Sequence, residues 1–173
     1  YFGSNVGQSF SLKLNSRTTS AKDTGISYRK LNHWETKGII AKELKRSKKG
    51  WRKFTILDLI WMRCVQELRN YGVSIAKIVK LRANLNNFLF QSNSNYPDLE
   101  FNVAKVLCGE HILFVMNKEG KYEFNNLDTF NFVISKDFEK TTSKFLINLN
   151  NVVKLVKSRV DLDDIYRKVQ KHS

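Results

Sequence analysis

The chain has 173 residues, 42% hydrophobic and 12% aromatic, enough apolar side chain for one full domain or two small ones without disulfide staples. It holds no run of about 18 apolar residues, which excludes a transmembrane helix, and its first residues lack the basic start and apolar stretch of a secretory signal. Thirty Lys and Arg against sixteen Asp and Glu give a formal net charge of +14.

That charge is unevenly placed. Residues 1–90 carry 18 basic and 5 acidic side chains, whereas residues 91–173 carry 12 and 11. A uniform bias would serve solubility. One basic half beside a near-neutral half implies a polyanion-binding module joined to a part with another task.

In chain order, residues 1–15 read as an N-terminal arm, of which Tyr1-Phe2-Gly3-Ser4 resembles a protease-site or vector remnant. Ser16 is placed to cap a short helix running to about Asp23, broken by Thr24-Gly25. Ser27 is the next N-cap, ahead of a helix from Tyr28 to Lys37 that Gly38 ends in the left-handed conformation. After the apolar pair Ile39-Ile40, the stretch Lys42–Lys53 is basic and polar, and Lys49-Gly50 can turn it into a β-hairpin. Thr55 and Asp58 form a capping box. Behind it Leu57, Ile60, Trp61, Cys64, Leu68 and Tyr71 make one buried helical stripe, which Gly72 stops. Ser74 caps a further helix from Ile75 to about Phe90.

The polar run of residues 91–97, ending at the single proline, reads as a linker. Beyond it, residues 98–173 read as a small α+β unit. The apolar run His111–Met116, a turn at Asn117–Gly120 and the alternating Lys121–Phe124 make a hairpin. Two more strands are expected near Phe130–Ile134 and Phe145–Leu149. Val152, Val153, Val156 and Val160 then switch to helical spacing, and a last helix is expected over Leu162–Lys171.

Two short helices separated by a Thr-Gly turn make a helix-turn-helix. Along the second, Tyr28 and Asn32 are four apart, as are Arg29 and His33, so the four share a face. Leu31 and Trp34 fall on the other side with Ile26, toward the core. Arg and Asn are the residue types that make paired hydrogen bonds to guanine and adenine edges in the major groove. An anionic membrane would call instead for bulky apolar residues on the exposed face, and RNA for an exposed aromatic stacking platform. From Lys37 to Lys53 there are eight basic residues and one acid, Glu43. In a hairpin, Lys45, Arg46, Lys48, Lys49, Arg52 and Lys53 reach phosphates flanking the groove, contacts that fix register and carry little sequence information.

Catalysis finds no support in the residues. His33, His111 and His172 are scattered, without a neighbouring nucleophile or paired acid. Asp161, Asp163 and Asp164 suit a helix N-terminus, and no phosphate-cradling glycine loop occurs. Cys64 and Cys108 are widely separated and outside any CxxC or Cys/His cluster, so a zinc site is not expected and both thiols read as buried or half-buried. No cofactor or metal is implied, and no enzyme.

The ordered set Thr24-Gly25-Ile26-Ser27-Tyr28-Arg29-Lys30-Leu31-Asn32-His33-Trp34-Glu35-Thr36-Lys37-Gly38-Ile39-Ile40 resembles the recognition segment of the MerR family. Gly50-Trp51-Arg52-Lys53-Phe54 is similar to that family's wing, an Arg between two aromatics. Asp58-Leu59 and Leu68–Ile78 continue the likeness, which covers residues 16–85. The resemblance implies an N-terminal winged helix-turn-helix of four helices and a β-hairpin wing over residues 16–90; with the small α+β domain read from the residues that follow, an antiparallel sheet and C-terminal helices, the expected class is α+β. It also implies a homodimeric transcription regulator on double-stranded DNA, cytoplasmic and associated with the nucleoid. Arg29 and Arg52 match family DNA contacts, and His33 takes the place of the first of an aromatic pair.

The whole expected interface is Ser27, Tyr28, Arg29, Lys30, Asn32, His33 and Lys37 on the recognition helix, with Lys45, Arg46, Lys48, Lys49, Trp51, Arg52 and Lys53 on the wing. Asn32 stands where the family commonly has Arg, so no base preference carries over. The usual proline after the apolar pair is absent, and the last helix of this half is shorter than the family's dimerising coiled coil. Ile78, Leu81, Leu85 and Phe88 keep a spacing that suits either a short dimer seam or packing on the chain's own C-terminal half. That half is left to dimerise, bind a protein partner or sense a small molecule, for which Phe114, Tyr122, Phe124, Phe130 and Phe132 can line either a pocket or an ordinary core. An alternative use of the same module is an architectural or assembly protein of a phage or mobile element, excisionase-like or a partition factor.

Overall fold

The computed structural model describes residues 11–41, 52–85, 94–130 and 144–160. After a helical turn at residues 11–14 come β1 (Thr19–Ser20), α1 (Ala21–Thr24), α2 (Tyr28–Thr36), β2 (Lys53–Phe54), α3 (Ile56–Asn70) and α4 (Ile75–Leu85). The second half adds α5 (Pro97–Leu107), β3 (Ile112–Asn117), β4 (Tyr122–Asn126), β5 (Lys144–Asn148) and α6 (Leu149–Lys157). The class is α+β, with two small antiparallel sheets.

Local chemistry explains the helix starts. Ser16 does not cap a helix, contrary to the sequence reading. Its hydroxyl turns back to the Lys13 carbonyl at 2.8 Å, and the next residues extend into β1. Ser20 begins α1 instead: the Asp23 carboxylate accepts from the Ser20 amide at 2.7 Å and from its hydroxyl at 2.8 Å. Those two bonds, the backbone one foremost, hold the Asp23 carboxyl below its usual range. At α3 the capping box forms as expected, Thr55 Oγ1 accepting from the Asp58 amide and Asp58 Oδ2 from the Thr55 amide, each at 2.9 Å.

The stripe Leu57, Ile60, Trp61, Cys64 and Leu68 is buried along α3. Tyr71 is not part of it. It follows the last residue of α3 and is 62% exposed, its ring 6.2 Å from that of Phe145. β2 pairs with β1 (Thr19 opposite Phe54, Ser20 opposite Lys53), so the chain leaving the basic segment is tied to the chain entering the helix-turn-helix. Thr19 reinforces the pairing by donating its hydroxyl to the Phe54 carbonyl at 2.6 Å.

In the second half the expected hairpin is β3–β4, and β5 pairs on the other side of β3, giving the order β4-β3-β5. Residues 127–130 are helical, so Phe130 does not begin a strand; the rest of that expected strand, and the helix of Leu162–Lys171, lie outside the described residues. The valine-rich stretch is helical as expected, with Val152, Val153 and Val156 buried. α5 was not anticipated by the patterning. Pro97 opens it, Asp98 and Glu100 sit in its first turn, and Leu99 and Val103 are buried.

The two halves share one continuous core, in which Trp34, Trp61 and Leu68 join Tyr96, Val103, Phe114 and Val153. Tyr96 and Pro97, the end of the expected linker, are buried. Ile78, Leu81 and Leu85 are buried in this same core. Within this chain they are covered by their own core; Phe88 lies outside the described residues. Tyr122 further ties the halves, its hydroxyl 2.8 Å from Asp98 Oδ2 and 3.3 Å from the Asn84 carbonyl. Phe114, Tyr122 and Phe124 cluster on one another, Phe114 and Phe124 with ring centroids 5.0 Å apart, as a packed core does.

Candidate nucleic-acid interface

The turn between α1 and α2 is built around Gly25, whose φ of +64° suits a residue without Cβ. Close approach adds a second reason: the guanidinium of Arg159, just past α6, lies where a Cβ on Gly25 would point. Thr24 rigidifies the turn, its hydroxyl donating to the Ala21 carbonyl at 2.7 Å and accepting from the Ile26 amide at 3.0 Å. Arg63 of α3 sits near Arg159; burial first, then that like charge, lowers its pKa.

Ser27 caps α2 through a 3.4 Å bond from the Lys30 amide. At the other end the Gly38 amide donates to Glu35 O at 3.0 Å and the Ile39 amide to Trp34 O at 2.8 Å, the paired bonds of a Schellman ending with Gly38 at φ +74°. Between these caps Leu31 and Trp34 are buried, whereas Tyr28, Arg29 and His33 are exposed and Asn32 half-buried. The helix thus has one face in the core and one toward solvent, as its spacing predicts. Arg29 and His33 have no hydrogen-bonded or ionic partner among the described residues, which leaves both available to a ligand. Lys30 instead lies back over the Trp34 ring, its Nζ 5.1 Å from the centroid. Lys37 and Ser27 are exposed at the two ends.

Of the wing residues, Lys45, Arg46, Lys48, Lys49 and Trp51 fall outside the described residues. Lys53 is exposed on β2. Arg52 faces inward: only 7% exposed, it pairs with Glu35 through a short charge-assisted hydrogen bond, and its guanidinium carbon lies 5.2 Å from the Tyr28 ring centroid. Tyr28 and Glu35 are two turns apart on α2, so this one side chain braces both ends of that helix against the chain entering β2. Sequence reasoning placed Arg52 on phosphate and missed Glu35; the signal was an acid alone among the basic and polar residues of the helix.

The geometry is that of a helix-turn-helix whose second helix presents Tyr28, Arg29, Asn32 and His33. Residues 18–85 match the family model described as MerR HTH family regulatory protein. Over that stretch the chain is similar to MerR-type helix-turn-helix regulators. The match ends with the last residue of α4, before α5 and the three-stranded sheet begin. Comparison with curated proteins found no match for the chain.

Among the described residues no helix is long and apolar enough to cross a membrane, and no group of three or more His, Cys, Asp or Glu is placed to hold a metal ion. Cys64 is buried, which pushes its thiol up to about 12. Cys108 is exposed, not half-buried as expected, because it follows the last residue of α5.

Proposed function

We propose that the protein is a sequence-specific regulator of transcription that reads double-stranded DNA. The recognition helix enters the major groove with Tyr28, Arg29, Asn32 and His33 toward the base edges. The basic stretch Lys42–Phe54 lies along the phosphate backbone, with Lys45, Arg46, Lys48, Lys49 and Lys53 supplying sequence-independent affinity. Arg52 acts behind the interface, as the brace that fixes the helix against β2.

The observation that carries this reading is the exposed Arg29–His33 face on a helix capped at both ends and buried on its other side. Side chains held on a rigid helix can discriminate bases, whereas a merely basic surface cannot. The reading includes a homodimer on a two-fold site, formed through a surface other than Ile78, Leu81 and Leu85, with the second half holding an effector or a partner.

Selection of bound duplexes from a random DNA pool at physiological salt tests it. A palindromic consensus supports a dimeric regulator, because half-site spacing mirrors protein symmetry. Enrichment with no consensus would overturn sequence-specific reading and leave an architectural use of the same module.

A further inference from the structure

The exit of the recognition helix is held from outside by two donors that stand on one ring. Beyond the Schellman turn, the carbonyls of Gly38 and Ile39 face away from α2. Arg82 of α4 donates from Nη1 to the Gly38 oxygen at 3.1 Å. Trp61 of α3 donates from Nε1 to the Ile39 oxygen at 2.7 Å. Both donors rest on Tyr96, with the Trp61 ring centroid 5.9 Å and the Arg82 guanidinium carbon 5.8 Å from that of the phenol.

Tyr96 is completely buried and immediately precedes α5, beyond the segment shared with the MerR family. Its phenol is desolvated, which raises its pKa well above the usual value, so it stays neutral. The two carbonyls it indirectly fixes lie where the recognition helix ends and the chain turns toward the basic stretch.

We propose that Tyr96 is a positioning residue through which the second half of the chain sets how sharply the recognition helix discriminates DNA sequences. The proposal rests on the DNA-reading function above. The ring holds Trp61 and Arg82 in the rotamers that clamp Gly38 and Ile39, and so fixes how the chain leaves the recognition helix. Tyr96 caps the start of α5, so any ligand or partner that shifts α5 changes the hold on that exit. By linkage, bound cognate DNA favours the clamped arrangement of α5 to the same extent.

The experiment compares the full chain with Tyr96→Phe, Tyr96→Leu and Arg82→Met, measuring affinity for the selected duplex and for a scrambled duplex over a salt series. Melting curves fix a temperature at which every variant is folded. Tyr96→Phe keeps the ring and is expected to keep the specificity ratio. Tyr96→Leu and Arg82→Met are expected to lower that ratio about tenfold with the salt slope unchanged, since phosphate contacts are untouched. Arg82 is only partly buried, so its variant reports even where Tyr96→Leu fails to fold. A lower melting temperature with an unchanged ratio in Arg82→Met would show a purely structural role and overturn the proposal. If the unaltered chain prefers no duplex, the DNA-reading function itself fails, an outcome distinct from variants that match a discriminating parent.

Discussion

Arg29 and Arg52 have opposite surroundings, and each surrounding dictates a different response to mutation. Arg29 is exposed with no partner among the described residues, so removing it costs the fold little. Arg29→Ala is expected to leave the melting temperature unchanged while discrimination at one base position relaxes by about 1–3 kcal/mol, read from competition binding against single-base variants of the selected site. An unchanged preferred sequence would remove Arg29 from the recognition face. Arg52 is buried beside Glu35, and truncation takes a cation away from a carboxylate that is only 15% exposed. Arg52→Met is accordingly expected to cost about 3 kcal/mol of stability in denaturant unfolding, the usual penalty for breaking a buried pair. A double variant with Glu35→Gln should recover part of that loss, because the carboxylate that Arg52 faced is then neutral. Were Arg52 a simple phosphate contact, the fold would tolerate Arg52→Met and only DNA affinity would fall.

The wing belongs to the scale of elements, because a charge run acts as a set. Lys48→Ala combined with Lys49→Ala is expected to weaken binding to cognate and scrambled duplexes nearly equally. It should also reduce the slope of log affinity against log salt by roughly one unit per lost phosphate contact. A selective loss on the cognate duplex would assign those lysines to base edges. The elements differ in how much of them their own residues announce. α2 and α3 were legible at both boundaries because Ser27, Gly38 and the Thr55–Asp58 box make bonds only a few residues long. The start of α1 was misplaced although Ser20, unlike Ser16, has a carboxylate three residues on, Asp23, to close a local box. The pairing of Thr19 with Phe54, across 35 residues, adds a constraint that lies outside any local pattern by making Thr19–Ser20 a strand. α5 escaped notice because its opening tyrosine and proline sit at the end of a polar run. The inward turn of Arg52 was equally illegible: a charged residue inside a basic run becomes a brace only when the fold brings Glu35 to it.

At the scale of the whole molecule, the charge asymmetry suggests two units, yet the apolar side chains of both are spent on a single core. Unfolding should therefore be one cooperative transition, with tryptophan fluorescence and far-UV signals coincident. The junction between the halves also carries a titratable group. Asp98 is packed where α5 meets Tyr122, and burial raises its carboxyl above the usual range, with the Tyr122 hydroxyl bond opposing the shift only in part. A raised folded pKa means that the native state keeps its proton at pH values where the unfolded chain, near 3.9, has lost it. Stability from this group therefore falls as pH rises from about 3.9 through the folded value, and levels off above it. Asp98→Asn keeps an acceptor for Tyr122 and removes the charge that burial penalises. The variant is expected to be as stable as the parent or more so at pH 7, and to lose this downward component in urea midpoints taken from pH 4 to 7. A variant clearly weaker than the parent at pH 7 would mean that the ionised carboxylate is favoured at this junction. The bond from Tyr122 and the amide of Asn102, 3.2 Å away, would then outweigh its desolvation.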